Sequence, residues 1–85
     1  MADREVQKFS YAYLKSHTTI LMVCVYKSPD DYPDLFLARV WDGKTPTNLV
    51  ATGKSLEELR RAKPPEMTIL PRIQEDATEI VESWI

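Results

Sequence analysis

One cysteine and one histidine are the first residues that could do chemistry, because a thiol beside an imidazole is a nucleophile with its base. Cys24 lies inside the most apolar run of the chain, where burial raises the pKa of a thiol and restricts access to it. His17 precedes that run, and the distance along one strand keeps the two side chains apart. We therefore expect Cys24 to be a structural residue and predict no catalytic residues, which leaves an enzymatic role open but disfavoured.

Metal ligands are scarce in this sequence. A transition-metal site needs several histidines or cysteines at ligand spacing, and the chain has one of each. Asp30, Asp31 and Asp34 offer oxygens, but they lack the glycine turn and the closing glutamate of a calcium loop. Aspartate is also common in turns for its own backbone hydrogen bonds. We predict no metal site.

Phosphate-binding loops are also absent from the sequence pattern. The chain has only two glycines, Gly43 and Gly53. Gly53-Lys54-Ser55 is similar to the end of a phosphate loop, but Asn48 stands where the upstream glycine would be. We therefore predict a strand-to-helix turn at Gly53 and no cofactor.

Charge is unevenly distributed along the chain. A candidate interaction patch gathers five basic residues: Lys54, Arg60, Arg61, Lys63 and Arg72. The segment after Arg72 carries only acidic charges, namely Glu75, Asp76, Glu79 and Glu82. The patch could meet nucleic acid or an acidic partner, or the two segments could neutralise each other. The net charge of −2 favours neutralisation, because nucleic-acid-binding domains are usually basic.

Size and composition predict one globular domain over residues 1–85. A single cysteine excludes an internal disulfide framework, and the first residues lack the apolar core of a signal peptide. We expect a cytoplasmic protein without a membrane span.

The stretch from Thr18 to Val25 is the longest apolar run and is rich in β-branched residues, which favour a strand. Its alternate positions are apolar on both faces, which predicts an interior strand over 18–27. Further strands are predicted at 35–41, 47–52, 67–70 and 79–85. We expect 35–41 and 47–52, and in addition the tail, to flank the central strand.

A short helix is predicted at 56–62. Ser55 followed by Glu58 forms a capping box, in which each side chain accepts a hydrogen bond from a free amide of the first turn. Pro64 and Pro65 then end the helix.

Both ends of the chain are ambiguous. Val6, Phe9 and Tyr13 have helical spacing, with Asp3 as a cap, and predict a helix over 4–15. Alternation of Phe9, Tyr11 and Tyr13 would instead favour a strand. The tail admits a helix capped by Asp76, but its β-branched residues favour the strand at 79–85.

Four aromatic residues are candidates for a binding surface: Trp41, Trp84, Tyr26 and Tyr32. A domain of this size needs large aromatic side chains for its own core. We therefore expect Trp41 and Trp84 to pack in the core or at its margin.

These patterns predict an α+β fold with a mainly antiparallel sheet and a helix on one face. The function we expect is that of a small non-enzymatic interaction or regulatory module, with a protein partner or a homodimer. The alternatives are weak nucleic-acid binding through residues 54–72, or a small-molecule or enzymatic site near the 30–34 loop.

Overall fold

The computed structural model describes residues 2–72 and 79–85. Its elements are, in chain order, β1 (Arg4–Glu5), α1 (Tyr11–His17), β2 (Leu21–Lys27), β3 (Phe36–Asp42), β4 (Thr45–Gly53), α2 (Leu56–Arg60), β5 (Ile69–Pro71) and β6 (Ile80–Trp84). The strands form a six-stranded sheet in the order β1-β4-β3-β2-β6-β5. All pairings are antiparallel except that of β1 with β4, so the predicted α+β class with a mainly antiparallel sheet is confirmed.

The strand β2 is central, as its apolar run predicts. It pairs with β3 on one side and with β6 on the other. The expectation that 47–52 also flanks it is wrong, because β4 pairs with β3 and β1. The tail takes that place as strand β6, which confirms the strand interpretation of 79–85. The alternative cap at Asp76 and all of residues 73–78 lie outside the described residues.

Both helices pack on one face of the sheet and close the core there. Val23 and Val25 of β2 lie on this face, together with Leu14 of α1 and Leu59 of α2. Trp84 of β6 is fully buried among them, and Phe9 meets its ring edge-on, with 6.4 Å between ring centroids. Trp84 is therefore a core residue, as its size predicts.

The predicted helix over 4–15 is wrong in its first half. Residues 4–5 form β1, and the helix covers Tyr11–His17. Ser10 is the N-cap, since its hydroxyl accepts a hydrogen bond from the amide of Tyr13 at 3.3 Å. Asp3, the expected cap, binds Arg39 instead. The apolar spacing that predicts a helix arises because Val6 and Phe9 face the core from a segment with two bends and no helix.

Helix α2 confirms the cap at Ser55, whereas the Glu58 side chain binds the amide one residue before the N-cap and so departs from a strict capping box. The Ser55 hydroxyl accepts from the amide of Glu58 at 3.1 Å, and the Glu58 carboxylate accepts from the amide of Lys54 at 3.3 Å. The helix lies so close to β4 that a Cβ on Gly53 would stand 2.8 Å from the backbone nitrogen of Leu59. Glycine at 53 is thus required by packing.

An irregularity in β4 shapes one end of the sheet. Arg39 of β3 pairs with Val50, whereas Trp41 pairs with Pro46, so residues 47–49 form a bulge opposite Val40. The Thr47 hydroxyl donates to the Val40 carbonyl at 2.7 Å and holds the bulge in place. β-Bulges re-aim side chains and often lie beside binding sites.

Both edges of the sheet are short. The strand β1 has two residues, and β5 has three and ends at Pro71, which has no amide hydrogen to donate. Short edges and proline are features that hinder pairing with another chain. The edge strands β1 and β5 therefore offer little backbone with which a partner strand could pair.

Candidate interaction surfaces

The sheet has a second face that no helix of the described residues covers, and we call it the open face. Strand alternation places Met22, Cys24 and Tyr26 of β2 on it, opposite the core-facing valines. Trp41 of β3 and Ser83 of β6 pair with these residues and share the face. The Trp41 indole donates to the Tyr26 hydroxyl at 3.1 Å, so both rings lie along the surface, half-buried.

Exposed apolar side chains are concentrated on the open face. Ile20 is 63% exposed, Leu70 is 39% exposed and Ile85 is 52% exposed. Ile20 shares the face with Met22 by alternation, and Leu70 shares it with Ser83 as a cross-strand pair. Thr68 and Ile85 extend this pairing with reciprocal backbone hydrogen bonds. Tyr13, the other exposed large apolar residue of the described chain, lies on α1.

One end of the open face carries a partly buried ion pair. The Arg39 guanidinium donates to both oxygens of Asp3, at 2.8 and 2.9 Å, and also to the Thr47 carbonyl at 2.8 Å. The Tyr32 hydroxyl donates to the same carboxylate at 3.1 Å. Arg39 lowers the pKa of Asp3 against the opposing effect of burial, and Asp3 raises the pKa of Arg39. This cluster fastens the N-terminal segment and the 28–34 loop over the β3–β4 end.

The cluster borders a cavity of about 440 Å³. Its lining includes Asp3 and Arg39 together with the bulge residues Thr47 and Asn48. Since the guanidinium and the carboxylate already satisfy each other there, the charges of this cavity are internally paired.

A second ion pair joins α2 to the sheet on the core side. Glu82 is only 2% exposed, and its carboxylate accepts hydrogen bonds from the Arg60 guanidinium and from the Trp84 indole at 2.8 Å. Burial raises the pKa of Glu82, but the hydrogen bonds from Arg60 and Trp84 outweigh it, and the pKa lies below its ordinary value of 4.5. This arrangement has a structural role, since it supplies hydrogen-bond donors to a carboxylate that is buried beneath helix α2.

The predicted basic patch is distributed over several local contacts. Arg60 binds Glu82, and the Lys63 amine donates to the carbonyls of Pro64 and Met67. Lys54 and Arg61 are exposed. The Arg60–Glu82 pair is one instance of the expected neutralisation, whereas Glu75 and Asp76 lie outside the described residues.

The fold does not bring together the other residues that could do chemistry according to the sequence. Cys24 is 7% exposed on the open face, with its sulfur 3.8 Å from that of Met22. His17 ends α1, where its Nδ1 contacts the Ser16 hydroxyl and the Tyr13 carbonyl. In the part of the chain that the structure describes, no three His, Cys, Asp or Glu side chains are grouped to hold a metal ion. The described helices are too short to cross a membrane.

The Asp3–Arg39 pair is the site feature that the sequence analysis missed. Its signal was a charged residue in an otherwise apolar strand, because Arg39 alternates with Leu37 and Trp41 on one face. A charge in such a position requires an acidic partner. Nothing in the local pattern identifies that partner as Asp3.

Comparison of the chain with protein-family models, with curated proteins and with solved structures finds no match.

Proposed function

We propose that the protein is a small, non-enzymatic, cytoplasmic interaction module that pairs with a second copy of itself through the open face. The observation that carries this proposal is the grouping of Ile20, Leu70 and Ile85 on the one sheet face without a helix. Contiguous exposed apolar surface is typical of interaction sites in soluble proteins. The half-buried aromatic pair Trp41–Tyr26 adds the residue types that are enriched in interfaces.

A second copy is the partner that suits this surface by charge. From β3 to β5 the face presents apolar, sulfur-containing or hydroxyl side chains, and Arg39 at its end is neutralised by Asp3. Two such faces related by a two-fold axis meet without repulsion between like charges. Sheets packed face to face stand about 10 Å apart, which lets side chains of this size interdigitate.

Sedimentation velocity over a wide concentration range tests the homodimer directly. We expect concentration-dependent dimerisation that is weakened by Ile20→Lys and by Leu70→Lys, because each variant places a charge in an apolar contact. Tyr13→Lys is the matched control, since Tyr13 is 41% exposed on the helix side of the molecule and should leave association unchanged. A protein that stays monomeric at all concentrations would contradict the proposal.

The two alternatives from the sequence stay predictions. Nucleic-acid binding through the basic patch would rest mainly on the exposed Lys54, Arg61 and Arg72, because Arg60 and Lys63 bind groups within the protein. A gel-shift titration at low salt checks it, with loss of the shift in a Lys54→Gln/Arg61→Gln variant. A site near the 30–34 loop would require a recess there, whereas the 440 Å³ cavity beside Asp3 and Arg39 is lined by residues outside that loop.

A further inference from the structure

A groove runs between α1 and the β1–β4 edge of the sheet, on the face opposite the open face. Two adjoining recesses of about 210 and 340 Å³ form it. They share Arg4 of β1, Tyr13 and Leu14 of α1, and Leu49 of β4. Together they have the size of a site for a small organic molecule, which usually occupies a few hundred Å³.

The groove has an apolar floor. Leu14 is fully buried beneath it, and Leu49 and Val6 pack against the core at its base. At one end the Tyr13 ring stacks on His17, with 4.0 Å between ring centroids, and forms an aromatic wall. The floor and the wall can therefore hold the hydrocarbon body of a ligand.

The charged residues that line the groove are Arg4 and Lys8, and both are exposed cations. His17 lines it as well. No carboxylate of the described residues lines either recess. The groove thus carries positive charge beside an apolar surface, although the protein as a whole has a net charge of −2.

Strand alternation in β1 explains this separation of charge. Arg4 pairs with Leu49 and faces the groove, whereas its neighbours Asp3 and Glu5 face the other side. Asp3 binds Arg39 there, and Glu5 accepts a hydrogen bond from the Thr52 hydroxyl. The nearest acidic residues in the sequence are therefore occupied elsewhere, and Arg4 is left without an acidic partner among the described residues.

We propose that this groove binds a small amphipathic carboxylate, with its apolar body against Leu14, Leu49 and Tyr13 and its carboxylate between Arg4 and Lys8. Guanidinium and ammonium groups both bind carboxylates, and arginine can do so with two parallel hydrogen bonds. The site lies on the opposite face from the proposed dimer contact and does not depend on that contact.

Titration of the ¹⁵N-labelled protein with 4-phenylbutyrate tests the site, with the uncharged 4-phenylbutanol as the matched probe. We expect phenylbutyrate to shift the amide signals of Tyr13, Leu14 and Leu49 and to bind more tightly than the alcohol. Arg4→Gln and Lys8→Gln should each weaken phenylbutyrate binding about two- to five-fold, as expected for exposed ion pairs, and should leave binding of the alcohol unchanged. Raising the salt concentration should reduce only the binding of the acid.

Lys54→Gln is the control for a change of net charge, because Lys54 is an exposed cation outside the groove. Arg4 and Lys8 are exposed as well, so Arg4→Gln and Lys8→Gln should leave the fold intact. A dispersed amide spectrum of each variant checks this. Equal affinity for the acid and the alcohol, equal weakening by Lys54→Gln, or shifts confined to the open face would each overturn the proposal. A dimer disrupted by Leu70→Lys should keep the groove and its affinity.

Discussion

The carboxylate of Asp3 and the guanidinium of Arg39 form two parallel hydrogen bonds across 36 positions of the sequence. This pair fixes the N-terminal segment beside the bulge of β4, and just after the bulge the Val6 amide donates to the Val50 carbonyl at 2.8 Å. The same contact turns Asp3 away from the groove and leaves Arg4 facing it. The fold of the first few residues and the charge of the groove therefore depend on one ion pair.

Loss of the Asp3 charge should loosen the N-terminal segment. We expect Asp3→Asn to lower the free energy of unfolding by about 1 kcal/mol at neutral pH, because the pair is partly buried and has two hydrogen bonds. Hydrogen exchange at the Val6 amide should speed up more than exchange at the centre of β2. Urea unfolding and exchange measurements check this, with Asp30→Asn in the exposed loop as the control. Unchanged exchange at Val6 would show that β1 is held by its backbone pairing alone.

Replacement of Glu82 should lower the free energy of unfolding more than Asp3→Asn does, because it leaves the Arg60 guanidinium and the Trp84 indole with a neutral partner beneath α2. We expect Glu82→Gln to destabilise the protein by about 2 kcal/mol, a value reduced by the exposure of Arg60 to water. Urea unfolding at pH 7 measures it. The exposed Glu57 of α2 provides the control as Glu57→Gln, which should change stability by less than about 0.5 kcal/mol. Equal effects of the two substitutions would contradict the structural role of Glu82.

Stability should fall in acid through these same two carboxylates. The pKa of Asp3 and that of Glu82 are lower in the folded protein than their ordinary values of 3.8 and 4.5. The unfolded chain therefore binds protons first, so the stabilisation is complete above the ordinary values and is lost as the pH falls through the lowered ones. Unfolding curves between pH 7 and pH 2 should show a smaller decrease for Glu82→Gln than for the parent. Parallel curves for the two proteins would refute this linkage.

The close approach of α2 to β4 predicts an asymmetry between the two glycines. Gly53→Ala should destabilise by about 1–3 kcal/mol, because the new Cβ would overlap the backbone of Leu59, which cannot rotate away. Gly43 has a φ of 61°, which asparagine tolerates, and a Cβ there would make only an ordinary contact with Ile20 Cδ1 at 4.0 Å, so Gly43→Asn should lower the free energy of unfolding by less than about 1 kcal/mol. Thermal unfolding of both variants makes the comparison. A larger loss for Gly43→Asn would mean that turn conformation matters more than helix packing.

The buried thiol should report on opening of the sheet. Because Cys24 is 7% exposed, a thiol reagent should label the native protein at least about ten-fold more slowly than the urea-unfolded chain. The rate should rise in Gly53→Ala if labelling requires unfolding. Rapid labelling of the native protein would instead show that the open face admits small molecules near Tyr26.

The sheet was predictable where side-chain pattern alone determines structure. The apolar run around Val23 and the cap at Ser55 are local signals, and the structure has the expected strand and helix at these positions. The first residues were not predictable in this way. Val6 and Phe9 have helical spacing but are held by distant partners, namely Val50 and Ala62, whose carbonyls accept from their amides.

The candidate surfaces depend even more on distant contacts. Whether Met22 and Tyr26 are covered depends on which face receives both helices, and the strand pattern, apolar on both sides, is the same in either case. To predict the cationic groove one must know that the side chains of Asp3 and Arg4 point to opposite faces of the sheet. The sequence shows these residues only as alternating charges.

The position of β6 has a consequence for synthesis on the ribosome. This strand comes after every other described element in the chain, yet it lies inside the sheet, between β2 and β5. Until residues 80–84 have emerged, β2 has an unpaired edge and the core lacks the Trp84 ring. A nascent chain would therefore leave one edge of its most apolar strand unpaired until β6 has emerged, and we expect chaperones that bind extended apolar segments to recognise it during that interval.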